Sequence, residues 1–82
     1  MSTNADKFSK SEQDFLRNIG FRVQFMRKKE GLSQAQLAEM ADMSDSTISH
    51  LESTSAYPIS LVKLHRIATA LGVEPKTLLD FD

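Results

Sequence analysis

The chain has 82 residues, ten lysines and arginines against eleven aspartates and glutamates, and no cysteine. This length suits one small domain with a modest core, and the lack of cysteine excludes disulfides and thiolate metal sites. A net charge of -1 argues against an indiscriminate polyanion binder, although a local patch matters more than the total. No apolar run approaches the ~20 residues of a transmembrane helix or supplies a signal-peptide core, so a soluble cytoplasmic protein is expected.

Residues 1–10 are polar and read as a flexible segment, with one domain over 11–82. A first helix is expected from Lys10 or Glu12 to Glu30, opened by a capping box at Ser9–Glu12 or Ser11–Asp14. Phe15, Ile19, Val23 and Met26 recur at three- and four-residue spacing and form its core stripe. Gly20 within it costs about 1 kcal/mol against alanine, and Gly31 is placed to end it. Phe21 and Phe25 lie roughly opposite that stripe. Either the N-terminal segment, through Phe8, folds over them or one ring lies partly exposed, or they form a partner or self-association surface.

Two short helical patterns follow. Gln34 to Ala41 carries Leu37, Ala38 and Ala41 on one side, with Ser33 and Gln36 as a capping box. Asp45 to Ser53 carries Ile48 and Leu51, with Ser44 as cap and Asp45 in the first turn, where a negative charge is favoured. Helices this short are marginal alone and need each other's packing. A pair of this kind is the pattern of a helix-turn-helix. Ser60 then caps a helix from Leu61 to Leu71 with Leu61, Leu64, Ile67, Ala68 and Leu71 as a buried stripe. His65 lies between core positions and is expected to be partly buried. Gly72 ends that helix, and Pro75 opens a last short one through Leu79. The fold class expected is all-α, five helices around a central helix-turn-helix, with no sheet.

Gly31-Leu32-Ser33-Gln34, Leu37-Ala38, Ser44, Ile48-Ser49, Leu51-Glu52, Pro58 and Ile67-Ala68…Leu71-Gly72-Val73 occur in an order and spacing that resemble the Cro and repressor (xenobiotic-response-element-type) helix-turn-helix regulators. The resemblance covers about Ile19 to Leu79. It implies a lambda-repressor-like domain in which Gln34–Ala41 is the positioning helix and Asp45–Ser53 the recognition helix. It implies double-stranded DNA as partner, a homodimer on a palindromic operator, and no cofactor, metal, membrane or small-molecule ligand. The DNA-contacting candidates it implies are Gln34, Ser44, Asp45, Ser46, Thr47, Ser49, His50, Ser55, Tyr57 and Lys28. By the same likeness Arg27 and Glu52 form a structural ion pair, and the C-terminal part with the loop around Tyr57 forms the dimer. Phe21, Phe25, Leu78 and Phe81 are candidates for a dimer or partner surface.

Two departures stand out. The recognition helix has no lysine or arginine, and neither has Ser53-Thr54-Ser55-Ala56-Tyr57 after it. The arginine–guanine contact, the commonest specific one, is therefore absent. The function expected is a DNA-binding transcriptional regulator. The alternative is a protein-interaction module on the same scaffold, antitoxin-like or a regulator's partner, with DNA binding weak or lost. No cysteine nucleophile, glycine-rich phosphate loop or ligand-spaced His/Asp/Glu cluster supports an enzyme.

Overall fold

The computed structural model describes residues 7–80. Its elements run α1 (Lys10–Lys29), α2 (Gln34–Met40), α3 (Asp45–Glu52), α4 (Leu61–Leu71) and a closing 3-10 turn, Pro75–Leu79. No strand occurs among the described residues. The closing element corrects the expected fifth helix. Five residues opened by a proline are too few to nucleate an α-helical run, and they settle into the tighter turn. Ser9 caps α1 and Lys10 begins it, the earlier of the two starts expected.

All four α-helices start on a serine. The hydroxyls of Ser9, Ser33, Ser44 and Ser60 accept from the backbone N–H of Glu12, Gln36, Thr47 and Lys63. Each satisfies an N–H that the helix itself leaves without a partner, which is worth about 1 kcal/mol. The boxes Ser9–Glu12 and Ser33–Gln36 are reciprocal; Ser11 lies inside α1 and caps nothing.

The helix ends are set by backbone shape. Gly31 and Gly72 both have φ 72°. After α1, Leu32 N–H bonds to Arg27 O at 3.1 Å and Gly31 N–H to Lys28 O at 3.0 Å. Val73 and Gly72 repeat this double closure on Ala68 and Thr69 after α4. The turn between α2 and α3 uses the same device without glycine. Asp42 has φ 56°, with Met43 N–H on Ala38 O and Asp42 N–H on Glu39 O. Aspartate is among the few side chains that tolerate this region.

Ile19, Val23 and Met26 of α1 meet Leu37, Ala38 and Ala41, Ile48 and Leu51, then Leu64, Ile67, Ala68 and Leu71, with Leu78 closing the core. Phe15 and Leu61 do not belong to it, being 48% and 81% exposed. Periodicity fixes which face of a helix turns inward, not how far the packed neighbours extend along it. Leu78, proposed for a partner surface, is fully buried. His65 is exposed. Gly20 is buried against α3, where a Cβ would collide with the carbonyl oxygen of Leu51. Its helix-propensity penalty is thus offset by a close approach of two backbones.

Candidate nucleic-acid interface

α3 has two unlike sides. Ile48, Leu51 and Glu52 face inward and are buried, whereas Asp45, Ser46, Ser49 and His50 face outward and are exposed. The inward side is held by a hydrogen-bonded ion pair to α1. Arg27 Nε donates to Glu52 Oε2 and Arg27 Nη2 to Glu52 Oε1, both at 2.8 Å. A third guanidinium N–H, on Nη1, reaches Leu32 O at 2.7 Å. From the start of α2, Gln34 Nε2 donates to Glu52 Oε1 at 3.1 Å. The Glu52 hydrogen bonds raise the pKa of Arg27 above its ordinary value, burial opposing them. Arg27 is therefore charged at any physiological pH, and its charge is matched inside the fold. Among the described residues no buried side-chain polar atom lacks a partner, which is the condition for such a network to hold rather than weaken a core.

An open cleft of about 660 Å³ lies between the N-terminus of α2 and the outer side of α3. It brings together five of the expected contact residues: Gln34, Asp45, Ser46, Ser49 and His50. Arg27, Ser33 and Ala35 complete its walls. Ser33 and Ala35 were not among the candidates. Their position flanking Gln34 at a helix start is the signal that could have found them, because a polyanion approaching that terminus meets its neighbours too. Gln34 commits one amide hydrogen to Glu52, and the side chain has a second to offer outward.

The remaining candidates lie outside the cleft. Ser44 and Thr47 share a hydroxyl contact of 3.0 Å, and Thr47 is half-buried, so both serve the cap of α3. The loop after α3 folds back on that helix. Ser53 Oγ donates to His50 O at 2.7 Å and accepts from Ser55 N–H at 3.3 Å. Ser55 is exposed there, and half-buried Tyr57 places its ring centroid 6.2 Å from that of His50. Lys28 is exposed in the last turn of α1. Phe21 and Phe25 remain exposed, and Phe81 lies outside the described residues.

Apart from Arg27, already paired, the cleft holds no lysine or arginine. Its chemistry is hydroxyl, amide, imidazole and one carboxylate. Those groups suit base edges and water-bridged contacts better than strong phosphate neutralisation.

Comparison with known proteins agrees with this architecture. Residues 23–78 match the HTH_3 helix-turn-helix family. The chain is 40% identical over 64 residues to control protein C.BamHI of Bacillus amyloliquefaciens, covering 77% of this chain and 78% of that protein. It is 36% identical over 61 residues to the immunity repressor protein of Bacillus phage phi105, covering 74% of this chain and only 42% of the repressor. Among solved structures, the restriction-modification controller C.AhdI from Aeromonas hydrophila superposes with a TM-score of 0.73 at 35% identity, over 77% of this chain and 94% of that one. The biofilm regulator SinR, in complex with DNA, gives 0.68 at 36% identity over 76% and 98%.

Proposed function

The chain belongs to the HTH_3 helix-turn-helix family of DNA-binding transcription regulators, and we propose that it reads a roughly palindromic operator as a homodimer in the cytoplasm of a bacterium. The outer side of α3 enters the major groove, and the N-terminus of α2 sits on the adjoining backbone. The observation that carries this reading is the cleft itself. Gln34, Asp45, Ser46, Ser49 and His50 converge there from two helices, on a base fixed by Arg27 and Glu52. Gln34 Nε2 gives a phosphate its second hydrogen; Ser46, Ser49 and His50 meet base edges; Asp45 accepts from cytosine N4 or supports the helix start. SinR, of similar fold, has been seen in complex with DNA, which supports the same mode here.

For the dimer, the loop around Tyr57 runs directly into Leu61 and Val62, 81% and 63% exposed. An apolar pair this open at the start of α4 suits a self-complementary contact. Leu61→Glu should lower the mass seen in sedimentation without unfolding the chain.

The decisive experiment is binding-site selection from genomic DNA with the purified protein, followed by titration of the recovered duplex. Combined Ser46→Ala, Ser49→Ala and His50→Ala should reduce affinity for it at least tenfold and leave weak binding to random duplex unchanged. No binding to any duplex at low salt would overturn the proposal, since non-specific phosphate affinity persists without a cognate site. The competing reading, an interaction module without DNA binding, would then stand, and the exposed Phe21 and Phe25 favour it.

A further inference from the structure

α1 presents apolar side chains on two sides. Ile19, Val23 and Met26 face the core. Phe21 and Phe25 are 48% and 58% exposed and point the opposite way, at ~100° of turn per residue. On a helix, a side chain's neighbours are those three and four residues away. For Phe25 these are Phe21, Arg22, Lys28 and Lys29. One exposed aromatic ring is thus bordered by a second ring and three cations, with no carboxylate among them. Arg22 is held in place, its Nε donating to Thr77 O at 3.1 Å and its guanidinium carbon 5.9 Å from the Phe25 ring centroid. Lys28 and Lys29 are exposed. The nearest acid earlier on α1, Asp14, is already paired with Lys10 and Arg17, each at 3.1 Å. None of Phe21, Arg22, Phe25, Lys28 or Lys29 lines the cleft between α2 and α3.

We propose that this side of α1, centred on Phe25, docks an acidic amphipathic segment of a different protein. Apolar side chains of that segment cover Phe21 and Phe25, and its carboxylates meet Arg22, Lys28 and Lys29. Charge selects this occupant. An antiparallel pairing of α1 with a second copy across the two phenylalanines sets Arg17 opposite Lys29, like charge against like, and places Gln24 and Asn18, not carboxylates, opposite Arg22 and Lys28. A head-to-tail contact, with the Glu39–Asp42–Asp45 turn of one copy on α1 of the next, is heterologous and would build rings or open chains rather than a two-fold pair. A duplex offers phosphates to the cations but nothing apolar to cover two rings. An acidic segment with an apolar stripe satisfies both requirements at once, in the helix-in-groove manner of many regulator contacts.

The test uses the full chain as bait for a displayed library of random 16-residue peptides, with the best binder remade synthetically and titrated by fluorescence anisotropy. The expected consensus places Asp or Glu on both sides of Leu or Phe at helical spacing. Phe25→Ser should weaken that peptide at least tenfold, and Lys29→Glu severalfold with a flatter salt dependence. Both variants should keep the melting temperature and the operator affinity of the parent. A consensus without acids, or an affinity indifferent to Phe25→Ser, would overturn the proposal. So would a drop in light-scattering mass for Phe25→Ser, which assigns the face to a second copy, or a loss of duplex affinity for Lys29→Glu, which assigns it to nucleic acid. Because the operator titration is read separately, failure here leaves the DNA-binding proposal intact, and the reverse also holds.

Discussion

The two sides of α3 obey opposite rules within one eight-residue helix. The inner side ends in Glu52, which accepts from Arg27 and Gln34 while buried; no buried side-chain polar atom there lacks a partner. The outer side, Asp45, Ser46, Ser49 and His50, is exposed and bonded through its side chains to little else in the chain. What this difference teaches is a division of labour. In the proposed binding mode the inner side fixes the orientation of α3 and the outer side does the reading.

Breaking the inner side should give the largest effect. Glu52→Ala leaves the Arg27 guanidinium buried without its carboxylate and should destabilise the fold by about 3–5 kcal/mol, read as the shift of a urea or thermal transition. Gly20→Ala comes next. Its new Cβ meets the Leu51 carbonyl oxygen, so α3 must move, at a cost of roughly 1–3 kcal/mol. Its DNA affinity should fall even under conditions where the variant stays folded. Ser44→Ala removes the hydroxyl that caps α3 and should cost about 1 kcal/mol, with a smaller loss of affinity. The outer side should give the smallest change in stability: Ser46→Ala with His50→Ala shifts the transition by no more than about 0.5 kcal/mol, while operator affinity drops. If the outer variants destabilise as much as Ser44→Ala, the contrast between the two sides is wrong.

Much of this arrangement was legible in the residues. Four serine caps and two terminal glycines bracket the helices, and the cues are local, so each could be read within a few positions. The grouping of Gln34 with the outer side of α3 came through the family resemblance. The Arg27–Glu52 pair spans 25 residues of sequence and came only through resemblance, because no local rule links positions so far apart. What escaped was tertiary. Leu61 and Leu78 both look like core candidates or surface candidates depending on what stands opposite, and the structure exposes the first and buries the second. The left-handed Asp42 did carry a signal, since aspartate tolerates that conformation, but nothing nearby demanded it until α2 and α3 were placed.

Gly20 has a mechanical consequence. Where side chains separate two helices, a substitution is absorbed by new rotamers and the helix axis drifts by a fraction of an ångström. At Gly20 the separation is backbone against backbone, and no rotamer exists to take up slack. The contact behaves like the fixed jaw of a vice. In the proposed binding mode, successive changes to Ser46, Ser49 or His50 would alter what is gripped without changing where the jaw stands, so a new binding preference would arise one residue at a time with the helix already aimed.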